Sequence, residues 1–236
     1  MTRPLLLPCL VLPILVACGP AATPRADGGT SHDAGAEPDA FGIPLVVNAV
    51  YRYWVVDSRT GARDLESHTV EALEDIGGGK MAFRVRKTRL KGGVSVQYQQ
   101  KLGPLNVYYS DNNEAANGAL IRHDDYTPYR VRFDATAEHT GTGAEWTETY
   151  QQVETSPISG TVQTRETAMW KVLSGDATVT ITATVATSTR SYSHCIQVSR
   201  TVAGATKTYW FAHGIGKVKE SGGQEEELVS YSIPGR

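Results

Sequence analysis

Apolar and polar residues alternate with a period of two over most of the chain beyond residue 50. Ala177, Val179, Ile181, Ala183 and Val185 alternate with Thr178, Thr180, Thr182 and Thr184. Tyr129, Val131 and Phe133 alternate with Arg130, Arg132 and Asp134, and Met81, Phe83 and Val85 with Ala82, Arg84 and Arg86. Successive side chains on a strand point to opposite faces, so this pattern implies one buried face and one wetted face. A polar outer face marks antiparallel pairing, because parallel strands are usually covered on both sides. Turn-forming residues punctuate the alternation at 57–61, 77–79, 92–93, 103–104, 111–113, 141–143, 174–175, 203–204 and 222–223. Between them the pattern predicts strands at 50–57, 66–76, 80–90, 94–102, 105–110, 128–136, 145–155, 160–172, 177–189, 193–202, 206–211, 215–220 and 225–233. Residues 112–120 alone lean towards helix, over too short a stretch to hold one unaided.

The expected fold is therefore all-β, a single domain built as a long antiparallel meander. Such strands close into a barrel, curl into a half-barrel or stack as a sandwich. Twist accumulates along long strands and strains a flat sheet. The expectation is a strongly curved sheet, half-barrel or open barrel spanning 43–236.

The alternation does not reach the first 42 residues. Arg3 precedes an apolar run at 5–16 interrupted by Pro8 and Pro13, and small residues follow at Ala17, Cys18 and Gly19. This is the layout of an export signal, and the run is shorter than the roughly 20 residues a spanning helix needs. Leu15-Val16-Ala17-Cys18 resembles the lipobox of bacterial lipoproteins. The resemblance implies cleavage before Cys18, so that 1–17 is a signal peptide and Cys18 carries the lipid. Several acyl chains at ~0.8 kcal/mol per CH₂ form a durable membrane anchor. Gly19 stands where inner-membrane lipoproteins of Gram-negative bacteria usually carry aspartate, which points to the outer membrane. Residues 18–42 are rich in Gly, Pro, Ala and Asp and poor in large apolar side chains, so they form a flexible tether. Its random-coil reach is about 25–30 Å.

Composition narrows the partners. Of 23 basic and 25 acidic residues, two and four respectively precede residue 43, so 43–236 carries 21 of each. A neutral domain lacks the basic surplus that nucleic acid requires, which excludes that class. The chain has three cysteines; Cys9 is removed with the signal and Cys18 is lipidated, leaving Cys195 without a disulfide partner.

Candidate chemistry is sparse. None of the six histidines has a zinc-like spacing, and His123-Asp124-Asp125 reads as a polar turn before a strand rather than a metal site. His32 and Asp33 are solvated tether residues. His194 and Cys195 are strand neighbours on opposite faces and cannot form a dyad; Ile196 and Val198 share a face with His194. Gly77-Gly78-Gly79 leads into a strand, not a helix, and cradles no phosphate. Adjacent acids at Asp124-Asp125 and Glu225-Glu226-Glu227 diverge on strands. These readings give no catalytic residue, no metal and no cofactor. Trp54, Trp146, Trp170 and Trp210 lie on four strands, with Tyr51, Tyr53, Tyr150, Tyr209 and Phe211 nearby. They serve either as core packing or as an aromatic-lined concavity for an apolar or carbohydrate ligand.

One further segment carries a resemblance. Trp210-Phe-Ala-His-Gly214-Ile-Gly216-Lys-Val-Lys219 is similar to the C-terminal Trp-x-x-x-Gly-Val-Gly-x-Val-Lys hairpin of extracytoplasmic Gram-negative lipoproteins whose function is not established. Tyr51 to Trp54 and Tyr126 to Tyr129 fit loosely, and the chain departs from the family at 182–188. The resemblance implies a curved sheet of the kind found in outer-membrane lipoprotein carriers and receptors. Within the hairpin, Lys217 and Lys219 are expected on one face and Val218 on the other. The combined expectation is a membrane-anchored envelope lipoprotein without enzymatic activity. Its β-domain binds a hydrophobic ligand or an envelope component, or has a filled core and meets protein partners; an unrecognised hydrolase is the third possibility.

Overall fold

A computed structural model describes residues 41–182 and 189–236. The expected signal peptide, Cys18 and nearly all of the tether lie outside the described residues. Twelve strands follow in order: Val50–Asp57 (β1), Arg63–Asp75 (β2), Met81–Arg89 (β3), Val94–Leu102 (β4), Leu105–Glu114 (β5), Leu120–Asp134 (β6), Glu145–Ser156 (β7), Gly160–Ile181 (β8), Arg190–Val202 (β9), Ala205–Ala212 (β10), Gly216–Ser221 (β11) and Gln224–Ser232 (β12). Each pairs antiparallel with its neighbours in sequence, and β1 pairs with β12 to close a barrel. The anticipated curvature therefore runs to completion. Closure removes both sheet edges, which an open sheet of this length would have to protect.

Two expected turns are not turns. Residues 160–172 and 177–181 belong to the single strand β8, and Ser174-Gly175 lies where the register against β9 shifts. Gly175 is small because the β6–β7 connection crosses it: a Cβ there would lie 3.0 Å from the Thr140 carbonyl oxygen. The second is 111–113, which lies inside β5; that strand runs on to Glu114, and β6 starts at Leu120. The segment that leaned towards helix is instead a hairpin, with Ala115 N–H donating to the Ala119 carbonyl at 2.9 Å. His123-Asp124-Asp125 is thus strand, not turn.

The barrel's two ends differ. Turns at 58–62, 90–93, 115–119, 157–159, 203–204 and 222–223 gather at one end, which we call the mouth. The other end receives residues 41–49. There Ile43 is buried, and its N–H donates to Asn106 Oδ1 at 2.8 Å. Gly216, at φ 92°, makes room for this segment, since a Cβ on it would lie 2.8 Å from the Ile43 Cα. Phe41 packs edge-on against His213 with ring centroids 5.4 Å apart. Residues 41 and 42, counted above with the tether, are part of the barrel's packing.

Apolar side chains fill the interior towards that end. One cluster joins Ile43, Tyr51, Tyr53, Val55, Val70, Val85 and Leu228; a second joins Phe133, Trp170, Val172, Val198 and Phe211. The far part of the β8–β9 hairpin adds Val179, Ile181 and Cys195 to the first cluster, against Trp54 and Trp210. These two tryptophans alternate with the interior residues Tyr53 and Phe211, so they belong to the outer face. The hairpin keeps them partly buried there, and Thr182 N–H ties it to Glu227 Oε2 at 3.1 Å. Among the described residues no helix is long and apolar enough to cross a membrane.

Candidate functional site

Between the apolar end and the mouth, the lumen is lined by charge. A cavity of about 180 Å³ is bordered by Lys87, Arg130, Arg132, Arg200, Lys207 and Lys217, by Glu220 and Glu226, and by Tyr108, Trp170, Tyr209 and Phe211. A second cavity, of about 320 Å³, shares Lys87, Gln224 and Glu226 with the first and is otherwise lined by mouth residues including Arg89, Gly92, Ser95, Asp111 and Glu114. The two cavities adjoin at these shared side chains, and the second lies at the mouth.

Strand register explains how so many charges come inside. In β6 the register against β5 shifts between Asn106 and Val107, so an extra β6 residue stands opposite. Arg130 and Arg132 consequently line the cavity, and Phe133 meets Phe211 with ring centroids 4.2 Å apart. The alternation had put those arginines on the wetted outer face; the bulge, and a lumen that is itself polar, place them inside. A similar shift operates in β11. Trp210 stands opposite Lys219 and Phe211 opposite Lys217, leaving Val218 as the additional residue. Lys217 is therefore buried in the lumen, while Lys219 lies with Glu227 on the other face at 2.8 Å. The two lysines do not share a face as expected.

Most of these charges are compensated by neighbours. Lys217 Nζ donates to Glu220 Oε2 at 2.6 Å and also to Glu226; Lys207 Nζ reaches Glu220 Oε1 at 2.7 Å. Burial works to lower the Lys217 pKa, but the two carboxylates outweigh it and hold the ammonium charged. Glu220 is buried too, yet Lys217 and Lys207 bring its carboxyl down to about 2. Arg200 Nη2 contacts Glu148 at 3.2 Å and the Tyr150 hydroxyl at 3.0 Å, with its guanidinium over the Trp170 ring. Glu66 accepts from Arg89 Nε at 2.8 Å and from His68.

Three cations differ. Lys87, Arg130 and Arg132 have no carboxylate within ion-pair distance among the described residues. Arg132 Nη1 makes one long bond, 3.3 Å to Gln97 Oε1, and its Nε is buried without a partner. Arg130 lies over the rings of Tyr108 and Tyr126, and its Nε is likewise unpartnered. Burial, and then the charge of Arg132, push the Lys87 ammonium below its usual pKa, against the pull of Glu66 and Asp111. Asp111 itself accepts from Ser95 and from Gln97 Nε2, the latter at 2.8 Å.

The residues singled out from the sequence are scattered. Cys18 lies outside the described residues. His123 contacts Asn112 and Asp125, while Asp124 faces the opposite way, fully buried, and contacts Arg122 Nε at 2.8 Å. His194 has φ 54° and reaches Asp176 at 2.8 Å in solvent. Cys195 and Ile196 are both buried, in the first and second apolar clusters respectively, whereas His194 is exposed at a register shift against β8, so Ile196 does not share a face with it. Burial pushes the Cys195 thiol up to about 11. Of Glu225-Glu226-Glu227 only Glu226 is buried in the lumen. Of the four tryptophans, Trp170 lines the cavity and Trp146 stacks on it at 5.6 Å. The lumen charges escaped the sequence reading; their one visible trace is β3, where Arg84, Arg86, Lys87 and Arg89 put bases on both faces.

Comparison of the chain with protein families, with curated proteins and with solved structures yields no match.

Proposed function

We propose that this protein is a lipid-anchored lipoprotein of the bacterial cell envelope, held through Cys18 and more suited to the outer than the inner membrane, whose barrel binds a small polar ligand in its lumen without transforming it. The observation that carries the binding reading is the charged cavity, which adjoins a second cavity at the mouth and is lined by cations without carboxylate partners. A lining of six bases and two acids favours a polar occupant over the hydrophobic one that the aromatic residues suggested. Tyr108, Trp170, Tyr209 and Phe211 contribute flat faces to the same wall. The anchor reading rests on the export layout and the lipobox resemblance at 15–18.

A second reading follows from the apolar end of the lumen, where Trp170, Phe133, Phe211 and Leu228 are fully buried by the chain's own packing. On that reading the interior is structural and the outer surface meets envelope proteins. Mass spectrometry of the full-length protein, extracted gently from membranes, separates the two. A stoichiometric small molecule retained under native conditions supports the receptor, whereas its absence supports the structural protein. Cys18→Ser tests the anchor: the variant is expected in the soluble fraction, and retention in washed membranes would sink that part of the proposal.

A further inference from the structure

We propose that the ligand is a compact phosphate-type oxyanion held by Lys87, Arg130 and Arg132. This rests on the receptor reading above and names its ligand class. The lumen's other charges form near-neutral sets: Lys207 and Lys217 with Glu220 and Glu226, Arg200 with Glu148, and Arg89 with Glu66. What is left is three cations on the inner cavity and two acids bordering the second: Asp111, whose oxygens are engaged by Ser95 and Gln97, and Glu114. Cations crowded together without ion-pair partners in a sheltered site are expensive to maintain for folding alone. A bound anion offsets their charge.

The donors also suit the shape of such a ligand. Two guanidinium forks with buried, unpartnered Nε atoms offer the planar donor pairs that match phosphate oxygens, and Lys87 supplies a point charge beside them. The Arg130 guanidinium lies 5.1 Å from the Tyr108 ring centroid and 5.6 Å from that of Tyr126, which helps to hold it in place. A cavity of about 180 Å³ has room for a small ligand such as an inorganic phosphate or a small phosphoester group. Entry is through the mouth, where Lys87 borders both cavities. Inorganic phosphate and a lipid phosphate headgroup share this chemistry.

The test is thermal unfolding of the full-length protein in detergent at fixed ionic strength made up with chloride. Inorganic phosphate, micellar short-chain phosphatidic acid and uncharged glycerol are compared. Phosphate or phosphatidic acid is expected to raise the midpoint in a saturable way while glycerol does not, and the more effective of the two identifies the source. Lys87→Met and Arg132→Met are each expected to weaken this effect about ten-fold or more. Lys171→Met, whose partner Glu145 is equally exposed, should leave it unchanged. No saturable anion effect, or one indifferent to both lumen variants, overturns the assignment. If an uncharged molecule is nonetheless found bound by native mass spectrometry, only the ligand class falls; if nothing binds at all, the receptor reading falls with it.

Discussion

Glu66 and His68 show how a single buried pair sets a property of the whole chain. They are two positions apart on β2, so both point inward, and the imidazole contacts the carboxylate while lying 4.7 Å from the Tyr53 ring. Burial, reinforced by the Lys87 charge, drops the His68 pKa from 6.5 to about 3, against the opposing pull of Glu66. Burial alone would raise the Glu66 pKa, but His68, Lys87 and Arg89 outweigh it and keep the carboxylate ionised. The folded barrel therefore holds His68 neutral in a range where the unfolded chain protonates it. Where the unfolded state binds the extra proton, stability falls as pH falls. The loss begins near pH 6.5 and continues towards about 3, with Glu66 joining below its unfolded value of 4.5. Between pH 6.5 and about pH 5 His68 should lower stability by on the order of 2 kcal/mol, at 1.36 kcal/mol per unit. His68→Gln, which keeps a donor for Glu66 but does not titrate, should flatten this slope in urea unfolding. An unchanged slope would show that another group is responsible.

At the scale of the element, the alternating pattern revealed strands but not their bulges. The order of strands, the antiparallel meander and nearly every hairpin were legible because period-two alternation is a local signal. Bulges are not: one extra residue in β6, one in β11 and one at His194 each reverse the face of everything beyond them. That is why Arg130 and Arg132 read as outer residues and Lys217 as a companion of Lys219. It is also why the site was missed, since a charge inside a closed lumen looks identical in sequence to a charge in water. The β11 bulge gives a direct check. Lys217 lies between two buried carboxylates, so Lys217→Met should destabilise by about 3–5 kcal/mol, the effect of stranding a buried charge. Lys219 pairs with Glu227 on the outer face, and Lys219→Met should change stability by less than about 1 kcal/mol. Urea midpoints for the two variants compare the faces; equal effects would contradict the bulge.

For the whole molecule, closure through β1 and β12 decides how the barrel holds together. Eleven of the twelve strand pairings join neighbours in sequence, and only this seam joins the two ends of the chain. The rest of the sheet could form without it, as a curved ribbon with two exposed edges and a lumen open along one side. An opened lumen would admit water to the apolar clusters and to the ion pairs of Lys217, so the seam and the interior should be lost together. Leu228 tests this coupling. It is fully buried, stands opposite Tyr53 across the seam and belongs to the cluster that reaches Val70 on β2 and Val85 on β3. Leu228→Ala should destabilise by about 2–5 kcal/mol, the range for a leucine removed from a packed core. In native-state hydrogen exchange the amides of β2 and β3 should lose protection by the same amount as those of β12, because one opening exposes all of them. If protection fell on β11 and β12 alone while β2 and β3 kept theirs, the seam would be a separable flap. The lumen would then be gated along its side as well as at its mouth.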